Sequence, residues 1–102
     1  MTASFHITVI AKEPIVGQVK TRMVPPLNSE QAAQIAAACL HDTFAAVSVV
    51  CGAHDDVRAV ALIDGAAGSW IPADYDVHHQ SGDGLGERLA NGFSVLGPGL
   101  II

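Results

Sequence analysis

Phe5-His-Ile-Thr-Val-Ile-Ala-Lys-Glu-Pro-Ile-Val-Gly-Gln-Val-Lys-Thr-Arg22 changes character halfway along. Phe5 to Ile10 is an almost unbroken apolar run. Such a run reads as a strand in the middle of a sheet, covered on both faces. Ala11 to Arg22 then turns polar, with Pro14 and Gly17 keeping it irregular. Pro25-Pro26 ends this loop, because neither residue can donate a backbone hydrogen bond. Three of the five Lys and Arg residues of the chain, Lys12, Lys20 and Arg22, lie in it. Cations gathered just past the carboxyl end of a strand, beside a glycine, suit an anion site. In open α/β sheets the ligand crevice lies at that end of the strands. Backbone N–H groups together with Lys and Arg side chains can hold phosphate there.

Outward from this stretch the elements alternate. A helix starts at Asn28 or Ser29, with Gln31 in capping-box position. Ala32, Ile35, Ala36, Cys39, Leu40, Thr43, Phe44 and Val47 form its apolar face, and Gly52 is its expected C′ residue. Val57 to Ile63 reads as a second strand, and Gly65 to Pro72 as a loop with a short helical turn near Trp70. Tyr75 to Gln80 reads as a third strand. The glycine-rich turn Ser81 to Gly86, a helix from Glu87 to about Val95, and a strand beginning at Leu100 complete the order β-α-β-β-α-β. That order predicts an α/β fold with a parallel, Rossmann-like sheet between helical layers. A chain of 102 residues makes one domain, spanning 1–102. Its apolar body has a mean hydropathy of +0.39 and few aromatics, so Ala, Val, Ile and Leu are expected to build the core.

Composition narrows the partners. The net charge is −5, which leaves no basic face for nucleic acid. No secretory signal is recognised, and no segment is expected to reach the ~20 apolar residues of a membrane span. Cys39 and Cys51 form no metal or redox motif, so a cytoplasmic, reduced setting is expected.

Two familiar nucleotide motifs fail. Val19, not glycine, precedes Lys20, so there is no Walker A sequence. Gly82, Gly84 and Gly86 miss the third glycine of a dinucleotide fingerprint. The turn still presents backbone donors between a strand and a helix start. Asp64 and Asp83 lie beyond strand ends and are candidates for a ribose, a base or a metal, with a self-satisfied turn aspartate as the plain alternative. His78 and His79 are neighbours on a strand and face opposite ways. Glu87 and Arg88 open a helix and are assigned an ordinary surface role. No catalytic nucleophile–base pair is visible, and the catalytic residues stay unknown.

The pattern A-K-x-P-x-x-G-x-x-K-T-R from Ala11 to Arg22, then Pro26-Leu27 and an Ala-rich helix, resembles a bacterial family of the nucleotide-diphospho-sugar transferase superfamily. Its members are catalogued as a domain of unknown function or as glycosyltransferases, some linked to arsenosugar biosynthesis. Gln80-x-Gly82-x-x-Leu85-Gly86-Glu87-Arg88 resembles the family's second signature, and the likeness spans essentially all 102 residues. Neighbouring relatives are similar to guanylyltransferases that activate 2-phospholactate or the molybdenum cofactor. The resemblance implies a glycosyltransferase-A (GT-A) fold. It places Lys12, Gly17, Lys20 and Arg22 at the phosphates, and Ala11, Asp64, Gln80, Gly82, Asp83 and Gly86 around the base and ribose.

The family continues past a fourth strand into Gly-x-Asp-x-Pro, whose aspartate is the expected Mg²⁺ or Mn²⁺ ligand. The sequence stops at Ile102, where that motif would begin, so no metal ligand is assigned here. The expectation is therefore the N-terminal, nucleotide-binding part of a metal-dependent transferase, moving a glycosyl group from a nucleotide-sugar donor and inactive by itself. The alternatives are a guanylyltransferase-like nucleotidyltransferase and a truncated fragment that binds nucleotide without turnover. The expected partner is a nucleotide or nucleotide-sugar, with a homodimer through the open sheet edge as a further expectation.

Overall fold

The computed structural model describes residues 5–102. Four strands, β1 (Phe5–Lys12), β2 (Val57–Asp64), β3 (Asp76–His79) and β4 (Gly99–Ile101), form one sheet in the order β3-β2-β1-β4. All neighbouring pairs are parallel. Two helices, α1 (Ser29–Gly52) and α2 (Leu85–Leu96), complete a mixed α/β fold.

Strand alternation puts the helices on opposite faces. Val9 and Ala11 of β1 and Ala59, Ala61 and Ile63 of β2 pack with Phe44 and Val47 of α1. The alternate residues face α2, whose Gly92 lies so close to Leu62 that an added Cβ would stand 2.9 Å from its side chain. β1 and β2 are therefore covered on both faces, which is why they read as largely apolar runs, and the buried His6 and Thr8 satisfy each other at 2.7 Å. The base of the α1 layer is closed by aromatics. The Tyr75 hydroxyl donates to the Phe44 carbonyl at 2.6 Å, and the two rings meet edge to face at 4.9 Å.

α1 starts as its sequence requires. The Asn28 N–H donates to Gln31 Oε1 at 3.0 Å, and the Gln31 N–H donates to Asn28 Oδ1 at 2.8 Å. Its end differs. Gly52 is the last helical residue, and the helix leaves through Ala53 in the right-handed region, so no left-handed glycine closes it. The helix also corrects the membrane expectation. By length and composition its 24 residues could cross a bilayer, with a mean hydropathy of 1.6 over its most apolar stretch, only 17% of which is buried here. Averaging over Ala, Val, Leu and Ile outweighs the interruptions at His41 and Asp42.

Several boundaries also move, β3 shrinking to Asp76–His79 and β4 opening at Gly99. β1 continues to Lys12, because pairing with β2 persists to the Lys12–Asp64 step. Lys12 is thus the last strand residue. α2 begins at Leu85, so Gly86 belongs to its first turn instead of the preceding loop. A 3₁₀ turn, Thr21–Met23, breaks the cationic loop, while 65–75 carries no regular element around Trp70.

Candidate functional site

The chain passes from β1 through α1 to β2 and on to β3, then returns through α2 to β4 on the other side of β1. The direction of winding reverses at β1, and ligands of open α/β sheets bind beyond the carboxyl ends of the strands at such a point. Lys12, Asp64 and the start of the glycine turn all lie at that end.

On the α1 side the site is open. Val19 is buried against Ala33 and Ala36 and pins the loop to the helix. Lys12 alternates away from Ala11, yet its Nζ reaches round the strand end and donates to the Gln18 carbonyl at 3.1 Å. Lys20 is held in the left-handed region at φ 49°, uncommon for a residue with a side chain. Lys12 and Lys20 thereby rim one cavity of about 580 Å³. Its walls come from Val9 and Ala11 of β1, Val19 of the loop, and Ala36, Leu40 and Thr43 of α1, with Ile102 beside them. Gly17 has φ +83° and open space where a Cβ would be, so the turn demands glycine while no protein atom crowds it. Arg22 sits exposed on the 3₁₀ turn and is not part of the cavity lining. Two of the three loop cations therefore share a hollow.

On the α2 side the site is closed on itself, and Arg88 is its hub. Its Nε donates to the Gly82 carbonyl at 2.9 Å, and one terminal nitrogen donates to Gln80 Oε1 at 3.1 Å and Asp64 Oδ2 at 3.2 Å. Gln80 Nε2 in turn donates to the carbonyls of Ala11 and Leu62, both at 3.1 Å. These bonds join the ends of β1 and β2 to the glycine turn. The ordinary surface role expected for Arg88 is thus corrected. The Arg88 and Asp64 side chains remain 31% and 44% exposed, so their ion pair matters for geometry more than for stability.

Gly82 lies at φ +121°, and a Cβ there would stand 2.8 Å from the Glu87 side chain and 3.2 Å from the Arg88 nitrogen. Asp83 is exposed, and its N–H donates to Glu87 Oε2 at 3.4 Å. Gly86 faces open space at the start of α2. Glu13, which the sequence reading passed over, ties in the third loop: its N–H donates to the Asp64 carbonyl at 2.8 Å, and its Oε1 accepts from the Ala66 N–H at 2.9 Å. The available signal for Arg88 and Glu13 was scarcity, since each is one of few charges placed beside a strand end or helix start.

Ala11, Asp64, Gln80 and Gly82 are thus brought together, but mainly by bonds to one another. The Mg²⁺ or Mn²⁺ expected of the complete domain finds no ligand cluster among the described residues. No three His, Cys, Asp or Glu side chains converge among the described residues, and Arg88 engages the Asp64 carboxylate. No family model, curated protein or solved structure matches the chain.

Proposed function

We propose that this chain binds the phosphate end of a nucleotide, as the nucleotide-binding portion of a transferase that moves a glycosyl group from a nucleotide-sugar donor. The observation that carries the reading is the placement of Lys12 and Lys20 on the rim of one cavity, at the carboxyl edge of the sheet where the winding reverses. Cations fixed there can neutralise charge that grows on a departing diphosphate. The GT-A assignment is the finer form of the observed parallel sheet and rests on the two signature stretches, Ala11 to Arg22 and Gln80 to Arg88. Cys39 and Cys51, both unpaired thiols, favour a reducing, cytoplasmic setting.

A thermal-shift and calorimetry panel of UDP-sugars, GDP-sugars, GTP and CTP, with and without Mn²⁺, tests this. One nucleotide class should raise the melting temperature. Lys12→Ala and Lys20→Ala should each weaken its binding by about 1.5–3 kcal/mol, the range for a hydrogen bond to a charged group. Absence of binding throughout the panel, or equal affinity in the lysine variants, refutes the reading.

A further inference from the structure

The cavity behind the lysine rim is larger and more apolar than a phosphate requires. We propose that it binds an amphiphilic anion, in its simplest form a monoalkyl phosphate, with the aliphatic body inside and the phosphate at Lys12 and Lys20. This rests on the reading of the rim as a phosphate site and adds what occupies the space behind it.

The volume of about 580 Å³ falls in the range of small-molecule sites, roughly 300–1,000 Å³. The walls are aliphatic, from Val9, Val19, Ala36, Leu40 and Ile102. No Asp, Glu or aromatic side chain lines the space, so a nucleobase would find neither an acidic side chain to read it nor a ring to stack on. The Thr43 hydroxyl already donates to the Cys39 carbonyl at 2.9 Å. A base edge would find few side-chain partners here, Gln18 and Thr43 beside the two lysines, whereas an alkyl chain carries no polar group that needs one. Each fully buried methylene should tighten binding up to about fourfold. At the mouth, Lys12 gives one hydrogen bond to Gln18, leaving donors on its ammonium for an anion. Val19 anchors the loop on Ala33 and Ala36, which ties the charged rim to the apolar wall.

Cys39 provides the probe. It lines the cavity and is exposed, whereas Cys51 lies outside it with its thiol pushed up by burial and, secondarily, by Asp74. The rate of iodoacetamide labelling at Cys39 is read by peptide mass spectrometry, with decyl phosphate kept below its micelle concentration. Saturating decyl phosphate should slow labelling at least tenfold, and hexyl phosphate should need a far higher concentration. The Lys12→Ala/Lys20→Ala chain should need at least tenfold more decyl phosphate for half-protection. The chain-length series on the unaltered protein stands even if that variant folds poorly. Equal protection by uncharged decyl maltoside would reduce the site to an apolar surface and overturn the proposal. If a nucleotide binds through the lysines while decyl phosphate leaves Cys39 unprotected, the cavity proposal fails and the rim reading stands. If neither ligand depends on the lysines, both fall.

Discussion

The two flanks of one sheet edge differ in what their polar groups do. On the α2 flank, Gln80 and Arg88 bond to Ala11, Leu62, Gly82 and Asp64, and Gly82 is crowded by Glu87. On the α1 flank, Lys12 and Lys20 are exposed around a cavity, Gly17 has empty space before it, and among the described residues the one hydrogen bond from the lysine side chains runs from Lys12 to Gln18. Hydrogen bonds made within the protein hold a shape, whereas donors left facing solvent can receive a ligand. The comparison assigns scaffolding to the first flank and binding to the second.

Glycine substitutions should separate the two most strongly. Gly82→Ala combines a positive φ with a collision and should cost about 2–4 kcal/mol, against about 1–2 kcal/mol for Gly17→Ala, where only the backbone objects. Urea unfolding of both variants measures the gap, and equal losses would erase the contrast. Arg88→Ala removes donors from Gln80, Gly82 and Asp64 and should cost about 1–2 kcal/mol, softened by the partial exposure of the group. Amide exchange should then quicken from Gln80 to Glu87 while α1 keeps its protection. An unchanged exchange pattern would deny Arg88 its role as hub.

Lys20→Gly should have the opposite sign. Relief of the φ 49° backbone should leave the chain as stable or up to about 1 kcal/mol more stable, while anion binding weakens. Loss of stability together with binding would mean that the loop serves the fold. The smallest effect lies away from both flanks. Burial pushes the Tyr75 phenol above its ordinary value of 10; the Ser48 hydrogen bond opposes this, and Asp74 and Cys51 reinforce it more weakly. The unfolded chain then loses that proton first. The Tyr75 contribution is complete below pH 10 and fades as pH rises through the folded value, so a Tyr75→Phe chain should show a shallower alkaline loss of stability.

The contrast also explains what was legible in the sequence. β1, β2 and the Asn28–Gln31 cap are local signals: an apolar run, β-branched residues, and a three-residue spacing. They were read within a residue or two. The cationic loop was legible because three of five cations cluster there. The Arg88 hub was not, because its partners Asp64, Gln80 and Gly82 come together only after β2, β3 and α2 have docked. Arg22 shows the limit of adjacency: it neighbours Lys20 in sequence, yet it sits on the 3₁₀ turn and does not line the cavity.

Gln80 leaves the narrowest room for variation at this edge. Its nitrogen must face two carbonyl oxygens while its own oxygen faces a guanidinium. A glutamate of the same shape would turn an anionic oxygen on both strand ends, and asparagine would fall one methylene short. Ala11, whose carbonyl is gripped there, directly precedes Lys12, so the pose of a single amide on the quiet flank sets where the first cation of the open flank begins.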